Sequence, residues 1–538
     1  MNVRHIFITL SAVSVSIIAL LSLVSPYFLI SLIVVAPVVV IGILDILQKK
    51  QTIRRNFPII GNFRYMLEKV RPEIMQYFVE TDTEGRPINR LFRSVIYQRA
   101  KAVNSTSPFG TQWDVYHPGY EWIDHSVYAV DPSDLEPEQR VLVGGRDCSK
   151  PYLASRLNIS GMSFGSLSKN AVLAMNKGAK LGNFAQNTGE GGLSPYHLEH
   201  GGDLIWQIGT GYFGCRTESG EFSPELFREK AELESVKMIE IKLSQGAKPG
   251  HGGILPAAKN TDEIAAIRNV KPHTTVNSPP SHTAFRNAEG LMRFIKQLRD
   301  LSGGKPIGFK LCIGKKSEFI EMCQAMIATG ITPDFIAIDG GEGGTGAAPI
   351  EFADSIGMPL RDGLAFAVDT LNGYDLKKQI KVIASGKAFN GYHIARLIAI
   401  GADMVNVARA MMLATGCIQA LQCHTNTCPT GVATQDKRLV KGLVVEDKAH
   451  RVANFHKATI ESFIELLAAS GVESADGLTR EQINRRIGAT GVRKYNEIYP
   501  EVRPGQYLIH AGSANGNGTL AVDQTATSQQ AASIADVH

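Results

Sequence analysis

The first fifty residues contain two long uncharged runs. Ile6 to Val24 is apolar apart from Ser and Thr, and after one Ser-Pro pair the stretch Tyr27 to Leu44 is again without charge. A helix needs about 20 mostly apolar residues to cross a hydrocarbon core of ~30 Å. The pattern therefore predicts a hairpin of two transmembrane helices, over 6–24 and 27–47.

A cleaved signal peptide is the alternative interpretation of the first run. No small-residue cleavage site follows that run and a second apolar span begins at once, which favours the hairpin. Basic residues near the ends of the hairpin belong on the cytoplasmic side; they are Arg4, Lys49, Lys50, Arg54 and Arg55. We therefore expect a protein anchored in the lipid of the inner (cytoplasmic) membrane, with its catalytic domain facing the cytosol.

From about Arg156 the pattern changes to short apolar runs that end in glycine-rich loops and alternate with amphipathic, helix-length stretches. The candidate strands are Leu157–Ile159, Asn183–Gln186, Met238–Leu243, Thr274–Val276, Pro306–Cys312, Phe335–Asp339, Ile380–Ala384 and Met404–Val407. This alternation predicts an α/β fold, an aldolase-type (β/α)8 TIM barrel. A doubly wound sheet is the alternative, but polar residues follow nearly every run rather than one switch point.

Polar segments flank the predicted barrel, which occupies 151–470. Residues 51–150 predict an irregular subdomain with short helices, including an apolar helical face over Glu68–Val79. A helical extension is expected over 471–506. The segment 507–538 is rich in Ala, Ser, Thr, Gly and Gln and has too few large apolar residues to bury a core, so we expect a disordered tail.

Composition excludes some classes of function. The chain is 44% hydrophobic and 20% charged with a formal net charge of +5, which is small for 538 residues. It has no basic stripe with interleaved aromatics and no zinc-finger spacing, so we expect no nucleic-acid partner. Its seven cysteines are an odd number and three are clustered. That pattern favours a metal or redox site in a reducing compartment over a secreted disulfide framework.

The clustered cysteines, Cys417, Cys423 and Cys428, follow a C-x5-C-x4-C pattern within 416–431. Thiolates on a compact loop hold iron–sulfur clusters, and a three-iron cluster needs no fourth, distant cysteine. Zinc with His424 as a fourth ligand is the rival, although structural zinc sites prefer ligands two to four residues apart. Buried cysteines that serve as small apolar side chains are a third possibility.

Two lysines, Lys242 and Lys310, lie inside apolar runs. A buried lysine is costly unless it meets an anion, so the pair predicts an anionic group such as a reduced flavin; a solvated strand end is the alternative. Glycines that would let the backbone approach a flat ring are Gly340, Gly341, Gly343 and Gly344. Loops after the last two strands often bind phosphate in barrels, and here they contain Ser385, Gly386, Lys387, Ala408 and Arg409.

Several motifs together resemble the synthase part of glutamate synthase. They are Gly-Met-Ser-Phe-Gly-Ser-Leu-Ser at 161–168, Asn-Thr-Gly-Glu-Gly-Gly at 187–192, Lys-Leu-Ser-Gln-Gly-Ala-Lys-Pro-Gly at 242–250, Gly-Gly-Glu-Gly-Gly-Thr-Gly-Ala at 340–347 and Gln-Cys-His-Thr-Asn-Thr-Cys-Pro-Thr-Gly-Val at 422–432. They occur in the order found in that family, over about residues 150–470. The resemblance implies FMN and a 3Fe-4S cluster as cofactors, with Met162, Ser163 and Asn187 near the flavin.

The same resemblance implies a reaction and roles for four residues. The substrates would be 2-oxoglutarate and ammonia, or another amine, whose imine is reduced to glutamate by hydride transfer. Lys248 and Arg268 would receive the carboxylates, as a point charge and a bidentate fork. Glu190 would position ammonia or handle a proton, and Gln245 would hydrogen-bond the oxo acid. For Arg268, a surface position on a barrel helix is the alternative.

Two departures from the family leave questions open. The family segment Lys-Pro-Gly-Glu-Gly-Gly-Gln appears here with His251 and Ile254 in place of its Glu and Gln, which leaves the exact substrate open. We expect no amino-terminal glutaminase domain and no dinucleotide-binding domain in this chain. We therefore expect the chain to use free ammonia, another amine or a separate glutaminase, with electrons from a donor such as a ferredoxin or a reductase subunit. An FMN-dependent amine or amino-acid dehydrogenase feeding a membrane acceptor is the alternative function, and an electron-transfer subunit with a vestigial pocket is a third.

Overall fold

The computed structural model describes residues 2–509. The tail predicted over 507–538 lies outside the described residues from 510 onward, and the short helix Gln506–Ile509 precedes that point. The chain divides into two compact units whose boundary falls between Arg90 and Leu91.

The first unit begins with two helices long and apolar enough to cross a membrane, Val3–Ser22 and Pro26–Leu47. They fall on the spans predicted over 6–24 and 27–47. The two helices pack closely, because a side chain added at Gly42 would collide with the ring of Phe7. The further elements of this unit are the α-helices Thr52–Asn56 and Ile60–Ile74 and the π-turn Met75–Val79; the second long helix itself consists of a 3-10 turn, Pro26–Ser31, and an α-helix, Leu32–Leu47.

The second unit is built on a closed barrel of eight parallel strands, which confirms the predicted fold. In chain order they are β1 (Leu157–Ile159), β2 (Gln186–Asn187), β3 (Leu204–Ile208), β4 (Val236–Lys242), β5 (Ile307–Leu311), β6 (Phe335–Asp339), β7 (Lys381–Ser385) and β8 (Met404–Val407). Each strand pairs with the next in the chain, and Val405 opposite Leu157 closes the barrel between β8 and β1. All eight carboxyl ends therefore open at one mouth.

Two of the predicted strands need correction. The third barrel strand, Leu204–Ile208, is absent from the prediction, and the predicted strand Thr274–Val276 is not part of the barrel. Val276–Asn277 instead pairs antiparallel with Ile254–Leu255 in a separate two-stranded sheet. A short apolar run before turn residues looks the same in either setting, because only its pairing partner differs. The predicted strand Asn183–Gln186 also starts too early, since Asn183 has a φ of 53° and ends the preceding helix.

A small hairpin closes the floor of the barrel. Val141–Val143 pairs antiparallel with Tyr152–Ala154, and its inward side chains join barrel residues such as Ile205, Met238 and Phe335 in one buried cluster. Close packing of apolar side chains at the floor leaves the opposite end, the mouth, for polar groups.

Helices surround the barrel. The longest, Val445–Ala469, packs against Lys169–Gly182, and a side chain added at Gly178 would meet Ala449 and Val452. The remaining α-helices are Arg90–Ala100, Pro195–Leu198, Pro224–Ala231, Asp262–Arg268, Ala288–Leu301, Lys316–Thr329, Ile350–Ser355, Leu360–Gly373, Gly391–Ile400, Arg409–Thr415, Lys437–Val440 and Tyr495–Ile498. Single 3-10 turns occur at Pro132–Asp134, Ala257–Lys259, Ala475–Gly477 and Arg480–Gln482.

The flanking segments are organised differently from the expectation. Glu121–Ile123, within the predicted subdomain 51–150, pairs antiparallel with Ile483–Arg486, which in turn pairs with Val492–Lys494. The segment 471–506 therefore contains strands as well as short helices. A strand from each side of the barrel sequence joins in one sheet, which a local pattern cannot reveal.

Candidate active site

A carboxylate and a lysine meet at the mouth of the barrel. Lys242 is the last residue of β4, and its Nζ donates hydrogen bonds to Glu190 Oε1 at 2.8 Å and to Gln245 Oε1 at 2.7 Å. Glu190 follows β2 in a glycine-rich loop. A side chain at Gly209 or Gly253 would collide with the Glu190 carboxylate, so these two glycines create the space it occupies.

Three cations act on Glu190. Burial by itself would raise the pKa of this carboxyl, but Lys242, then Arg268 and Lys248, outweigh burial and hold the pKa below its ordinary value. Glu190 is therefore ionised at neutral pH. The structure brings together the four residues to which the sequence assigns catalytic roles, together with Lys242.

Lys248 and Arg268 are held in place by neutral groups. Lys248 is 1% exposed and its Nζ donates to the carbonyl of Ala347 at 3.3 Å. Arg268 is 4% exposed, and its Nη2 donates to the carbonyl of Phe164 at 3.0 Å. The guanidinium lies over the Phe213 ring at 5.2 Å. Arg268 is thus a buried site residue rather than a surface position on a barrel helix.

Burial leaves both cations short of countercharge. It lowers the pKa of Lys248 to about 8, with Lys242 adding to the decrease, and it lowers the pKa of Arg268 to about 10. Within residues 2–509 neither forms an ion pair, and Arg268 Nε is buried without a hydrogen-bond partner. The mouth therefore holds one carboxylate against Lys242 and two further cations, an arrangement that favours an anionic ligand.

His251 lines the cleft above Glu190 together with Thr210, Gln245 and Pro279. Its ring stands edge-on to Phe352, with ring centroids 5.4 Å apart, and its Nδ1 lies 3.0 Å from the carbonyl of Gly252. The rings of His251 and Phe352 therefore make this side of the cleft aromatic. Ile254, the second departure, begins the separate strand Ile254–Leu255 that follows the cleft.

The second predicted lysine also meets a carboxylate. Lys310 on β5 lies 3.3 Å from Asp339 Oδ2 at the end of β6. Burial by itself would lower the pKa of Lys310, but Asp339 and Glu240 raise it above its ordinary value. Asp339 also accepts the N–H of Gly246 at 2.8 Å. Lys310 is therefore a charged group inside the barrel, and Asp339 ties it to the loop after β4.

Sequence reasoning missed Asp339 and Glu240, although each gave a signal. Glu240 is buried in the middle of β4, and its Oε1 accepts hydrogen bonds from Asn187 Nδ2 at 2.8 Å and Gln207 Nε2 at 2.6 Å. An acidic residue inside an apolar run points inward to a polar partner for the same reason that a lysine does.

A buried histidine, also missed, fixes the end of β4. Tyr212 accepts the N–H groups of Thr283 and Ala284 at 3.1 and 3.0 Å, so its hydroxyl donates to His282 Nδ1 at 3.1 Å. His282 Nε2 must then carry the proton, and it donates to the carbonyl of Lys242 at 2.9 Å. Burial lowers the pKa of His282 to about 4, which agrees with the neutral ring.

The glycine loop 340–347 contacts three parts of the site. Its Ala347 carbonyl accepts Lys248, a side chain at Gly344 would meet Arg409, and one at Gly346 would meet Cys423. At Gly340, Gly341 and Gly343 the nearest groups are backbone of the neighbouring loops and the side chains of Glu342 and Leu360.

The predicted phosphate residues lie where the sequence placed them, at the ends of β7 and β8. Ser385 ends β7 and its Oγ lies 3.1 Å from Ser160 Oγ, while the N–H of Gly386 donates to the Asn406 carbonyl at 3.2 Å. Arg409 Nη2 donates to the Glu342 carbonyl at 3.1 Å. Lys387 follows Gly386 in the same loop, and Ala408 precedes the helix Arg409–Thr415.

Two buried acceptors on the barrel strands are compatible with a bound polar group. Asn406 Oδ1 on β8 and Glu240 Oε2 on β4 are buried acceptors that have no partner among the described groups. Buried acceptors are costly unless a donor meets them, and a flavin ring offers N–H donors. Met162 and Ser163 stand in the loop after β1, and Asn187 ends β2, so all three predicted flavin contacts lie at this mouth.

The cysteine segment has suitable donors, but its thiols do not converge. Cys417, Cys423 and Cys428 act on one another electrostatically, and burial raises the pKa of Cys417 to about 12. The pKa of Cys428 is lowered although burial opposes this, because Thr430 and backbone N–H groups donate to its sulfur. Among residues 2–509 no group of three or more His, Cys, Asp or Glu side chains is close enough to hold a metal ion. The donor chemistry fits a thiolate-bound group.

Comparisons with known proteins agree on one family. The family model described as "Conserved region in glutamate synthase" matches residues 109–473. A "Glutamate synthase large subunit-like protein" of Bacillus subtilis is 41% identical over 82% of this chain and 91% of its own length. An "Archaeal glutamate synthase [NADPH]" of Methanocaldococcus jannaschii is 36% identical, and the match spans 61% of each protein. A "Ferredoxin-dependent glutamate synthase 2" of Synechocystis is 33% identical over 69% of this chain, which spans 24% of that protein.

Solved structures are similar to this chain only at low scores. The recombinant flavin-binding domain of baker's yeast flavocytochrome b2 has a TM-score of 0.42 at 11% identity, covering 81% of this chain and 86% of that chain. Mandelate oxidase with benzoyl-formic acid has a TM-score of 0.41 at 13% identity, covering 70% and 86%. At these scores the likeness carries no argument about the site.

Proposed function

The chain belongs to the glutamate synthase family of oxidoreductases acting on CH–NH2 donors, and we propose that it reduces the imine formed from 2-oxoglutarate and ammonia, or another amine, to glutamate. The observation that carries the proposal is the charge at the mouth of the barrel. Lys242 forms an ion pair with Glu190. Lys248 and Arg268 are two further buried cations, and neither forms an ion pair with a carboxylate of residues 2–509. A dianion such as 2-oxoglutarate supplies the two missing charges.

Lys248 and Arg268 bind and orient the oxo acid. A buried cation attracts a carboxylate more strongly than an exposed one, because little water screens the pair. The carbonyls of Ala347 and Phe164 hold both side chains before substrate arrives, which reduces the entropy lost on binding. Gln245, fixed by Lys242, presents its amide to the oxygen of the substrate.

Glu190 moves the proton. As an ionised carboxylate it takes a proton from the nitrogen of the adduct that ammonia forms with the oxo carbon. The protonated carboxyl then gives this proton to the departing hydroxyl, so the adduct loses water and leaves the imine. Lys242 at Oε1 stabilises the carboxylate between the two transfers. General acid–base help of this kind contributes about 10²–10⁴-fold in rate.

FMN is the proposed cofactor, and it supplies the hydride for imine reduction when bound. Lys310, Asn187, Met162, Ser163 and the glycine loop 340–347 would surround it. Support comes from the unpartnered acceptors Asn406 Oδ1 and Glu240 Oε2 and from the buried charge of Lys310. Ser385, Gly386, Lys387, Ala408 and Arg409 would hold its phosphate.

Cys417, Cys423 and Cys428 would hold the proposed 3Fe-4S cluster, which would supply one-electron transfer from an external donor such as a ferredoxin or a reductase subunit. The relatives named above include one with "[NADPH]" and one with "Ferredoxin-dependent" in the name, so both kinds of donor occur among similar proteins. The apolar hairpin 6–47 is proposed to anchor the chain in the inner membrane, with the catalytic domain in the cytosol. Length and composition of the two helices support this anchor.

The test uses the purified full-length chain loaded with FMN and iron–sulfur cluster and reduced by dithionite or ferredoxin. With 2-oxoglutarate and ammonium it should form glutamate, and a Lys248→Ala variant should lose most of that activity. A protein that carries both cofactors but makes no glutamate would contradict the proposed reaction.

The aromatic wall at His251 supports a second candidate, an FMN-dependent amine or amino-acid dehydrogenase. An imidazole edge-on to Phe352 would accept an apolar or aromatic group on the nitrogen of a larger amine. Bleaching of the oxidised flavin by a panel of amines, with no glutamate formed from 2-oxoglutarate and ammonium, would favour this function.

A further inference from the structure

The helix that follows the apolar hairpin has one uncovered apolar face. Ile60–Ile74 is α-helical and continues directly into the π-turn Met75–Val79. Tyr65, Met75 and Val79 lie outside its apolar arc, but at about 100° per residue eight other large apolar side chains fall within about 120°. They are Ile60, Phe63, Met66, Leu67, Val70, Ile74, Tyr77 and Phe78, and every one is between 39% and 84% exposed. The apolar face predicted over Glu68–Val79 is therefore helical, but it forms no core.

Basic residues border this face. Arg64 and Arg71 follow one edge of the apolar arc, and Lys69 lies about 60° beyond the other edge. Arg64 also pairs with Glu68 at 2.9 Å. The stretch 48–79 contains seven basic and two acidic residues. Its excess of five equals the formal net charge of the whole chain, so the remaining residues sum to zero. Four of the seven basic residues precede the helix, so most of the excess charge lies at its amino-terminal side.

In the first unit the short helix Thr52–Asn56 separates this helix from the second apolar helix, and side-chain hydrogen bonds join the two. Asp45, in the last turn of Leu32–Leu47, is 5% exposed. Its Oδ2 accepts the N–H of Ile59 at 3.0 Å and the side-chain amide of Asn62. These hydrogen bonds hold the start of the helix Ile60–Ile74 against the last turn of the second apolar helix.

We propose that Ile60–Val79 is an interfacial helix that lies in the surface of a bilayer containing anionic lipid. Its apolar face enters the acyl boundary, while Arg64, Lys69 and Arg71 reach phosphate groups at the edges, as long basic side chains do at membrane interfaces. Anionic headgroups complement the excess charge of 48–79. The inference rests on the proposed membrane anchor, and it adds a second attachment outside the hairpin.

A lipid surface explains the observations better than a second copy of the chain. An identical helix would bring the same excess of positive charge in 48–79 together, and such like-charge contacts oppose association. The hairpin already supplies the continuity with a bilayer, because Asp45 fixes the start of the interfacial helix to it.

The experiment measures depth by quenching of tryptophan fluorescence. Full-length protein is reconstituted into vesicles of phosphatidylcholine with about one third phosphatidylglycerol, in which the phosphatidylcholine is brominated either near the headgroup or near the chain end. Three variants are compared with the parent chain, whose three native tryptophans give the background: Phe63→Trp on the apolar face, Glu68→Trp on the polar face of the same helix, and Val38→Trp on the second apolar helix.

We expect shallow bromine to reduce the added Phe63→Trp emission at least about twofold, deep bromine to reduce it less, and Glu68→Trp to remain at background. Phosphatidylcholine alone should weaken the quenching of Phe63→Trp. Quenching of Val38→Trp without quenching of Phe63→Trp would overturn the interfacial helix and leave the anchor intact. Quenching of neither would overturn the anchor as well. An unquenched Phe63→Trp whose emission depends on protein concentration would assign the face to a second copy.

Discussion

Two buried glutamates of the barrel unit each face three cations, but the cations are held in different ways. Glu121 accepts Arg361 and Arg396 directly, with Arg396 Nη1 at 2.5 Å from Oε2, and Tyr495 donates to it at 2.8 Å. Arg485 lies 3.5 Å away. At Glu190 one lysine makes contact, and neutral carbonyls hold the other two cations.

The pKa values of the cations shift in opposite directions in the two clusters. Burial would lower the pKa of Arg361 and Arg396, but Tyr495 and Glu121 raise both above their ordinary values. At the mouth of the barrel burial prevails, and the pKa values of Lys248 and Arg268 fall to about 8 and about 10. Removing a partner from a fully paired carboxylate such as Glu121 would leave a charge unpaired, so that cluster serves the fold. Cations that form no ion pair, such as Lys248 and Arg268, are available to a ligand.

The largest effect should come from Glu190→Gln, which keeps the shape and removes the proton acceptor. We expect kcat for glutamate formation to fall about 10³-fold, with the thermal unfolding midpoint nearly unchanged. Stopped-flow or product assays on the loaded enzyme measure kcat. A decrease of less than tenfold would remove Glu190 from proton transfer.

The matched change, Glu121→Gln, should act on stability alone. It leaves two half-buried arginines without their countercharge, so we expect the free energy of unfolding to fall by about 1–3 kcal/mol. Urea titration followed by tryptophan fluorescence measures this loss. Activity per folded molecule should stay the same, and an equal loss of kcat would show that the two clusters do not divide the roles.

Arg268→Gln tests the binding of the dianion. Loss of a charge-assisted pair costs about 3 kcal/mol, so KM for 2-oxoglutarate should rise about 100-fold. The matched variant Arg396→Gln should lower the unfolding midpoint and leave KM unchanged. A normal KM in Arg268→Gln would mean that the substrate carboxylate binds elsewhere.

The pH dependence of KM should report Lys248. A lysine is charged below its pKa and neutral above it, so KM for 2-oxoglutarate should rise as the pH passes about 8, approaching about tenfold per pH unit. Lys248→Arg keeps its charge over that range and should flatten the rise. A steep rise that persists in Lys248→Arg would assign the titration to another group.

The smallest effect on rate should come from Tyr212→Phe. This change removes the acceptor of two backbone N–H groups and the donor to His282 Nδ1. We expect kcat to fall a few-fold, since Lys242 keeps its side-chain partners, while the free energy of unfolding falls by about 1–3 kcal/mol. Unchanged kcat with the same stability loss would limit the network to a structural role.

The sequence predicts the barrel and its site only where the signal is local. Lys242 and Lys310 stand out because a charge inside an apolar run favours a buried anionic partner over a solvated strand end, and each lysine meets a carboxylate. The prediction misses the barrel strand Leu204–Ile208 and wrongly places Val276 in the barrel. A local pattern does not show with which strand a segment pairs. The carbonyl contacts of Lys248 and Arg268 are equally non-local, so no pattern distinguishes these cations from those around Glu121.

The glycine loop 340–347 has a thermodynamic consequence. It bonds Lys248 at Ala347 and packs against Cys423 at Gly346, so the proposed oxo-acid site and the cysteine segment contact one short stretch of backbone. If ligand binding at Lys248 shifts this stretch, the free energy passed to the cysteine segment acts equally in the reverse direction. Loading the three thiols must then change the affinity for the oxo acid by the same factor by which the oxo acid changes the affinity for the cluster.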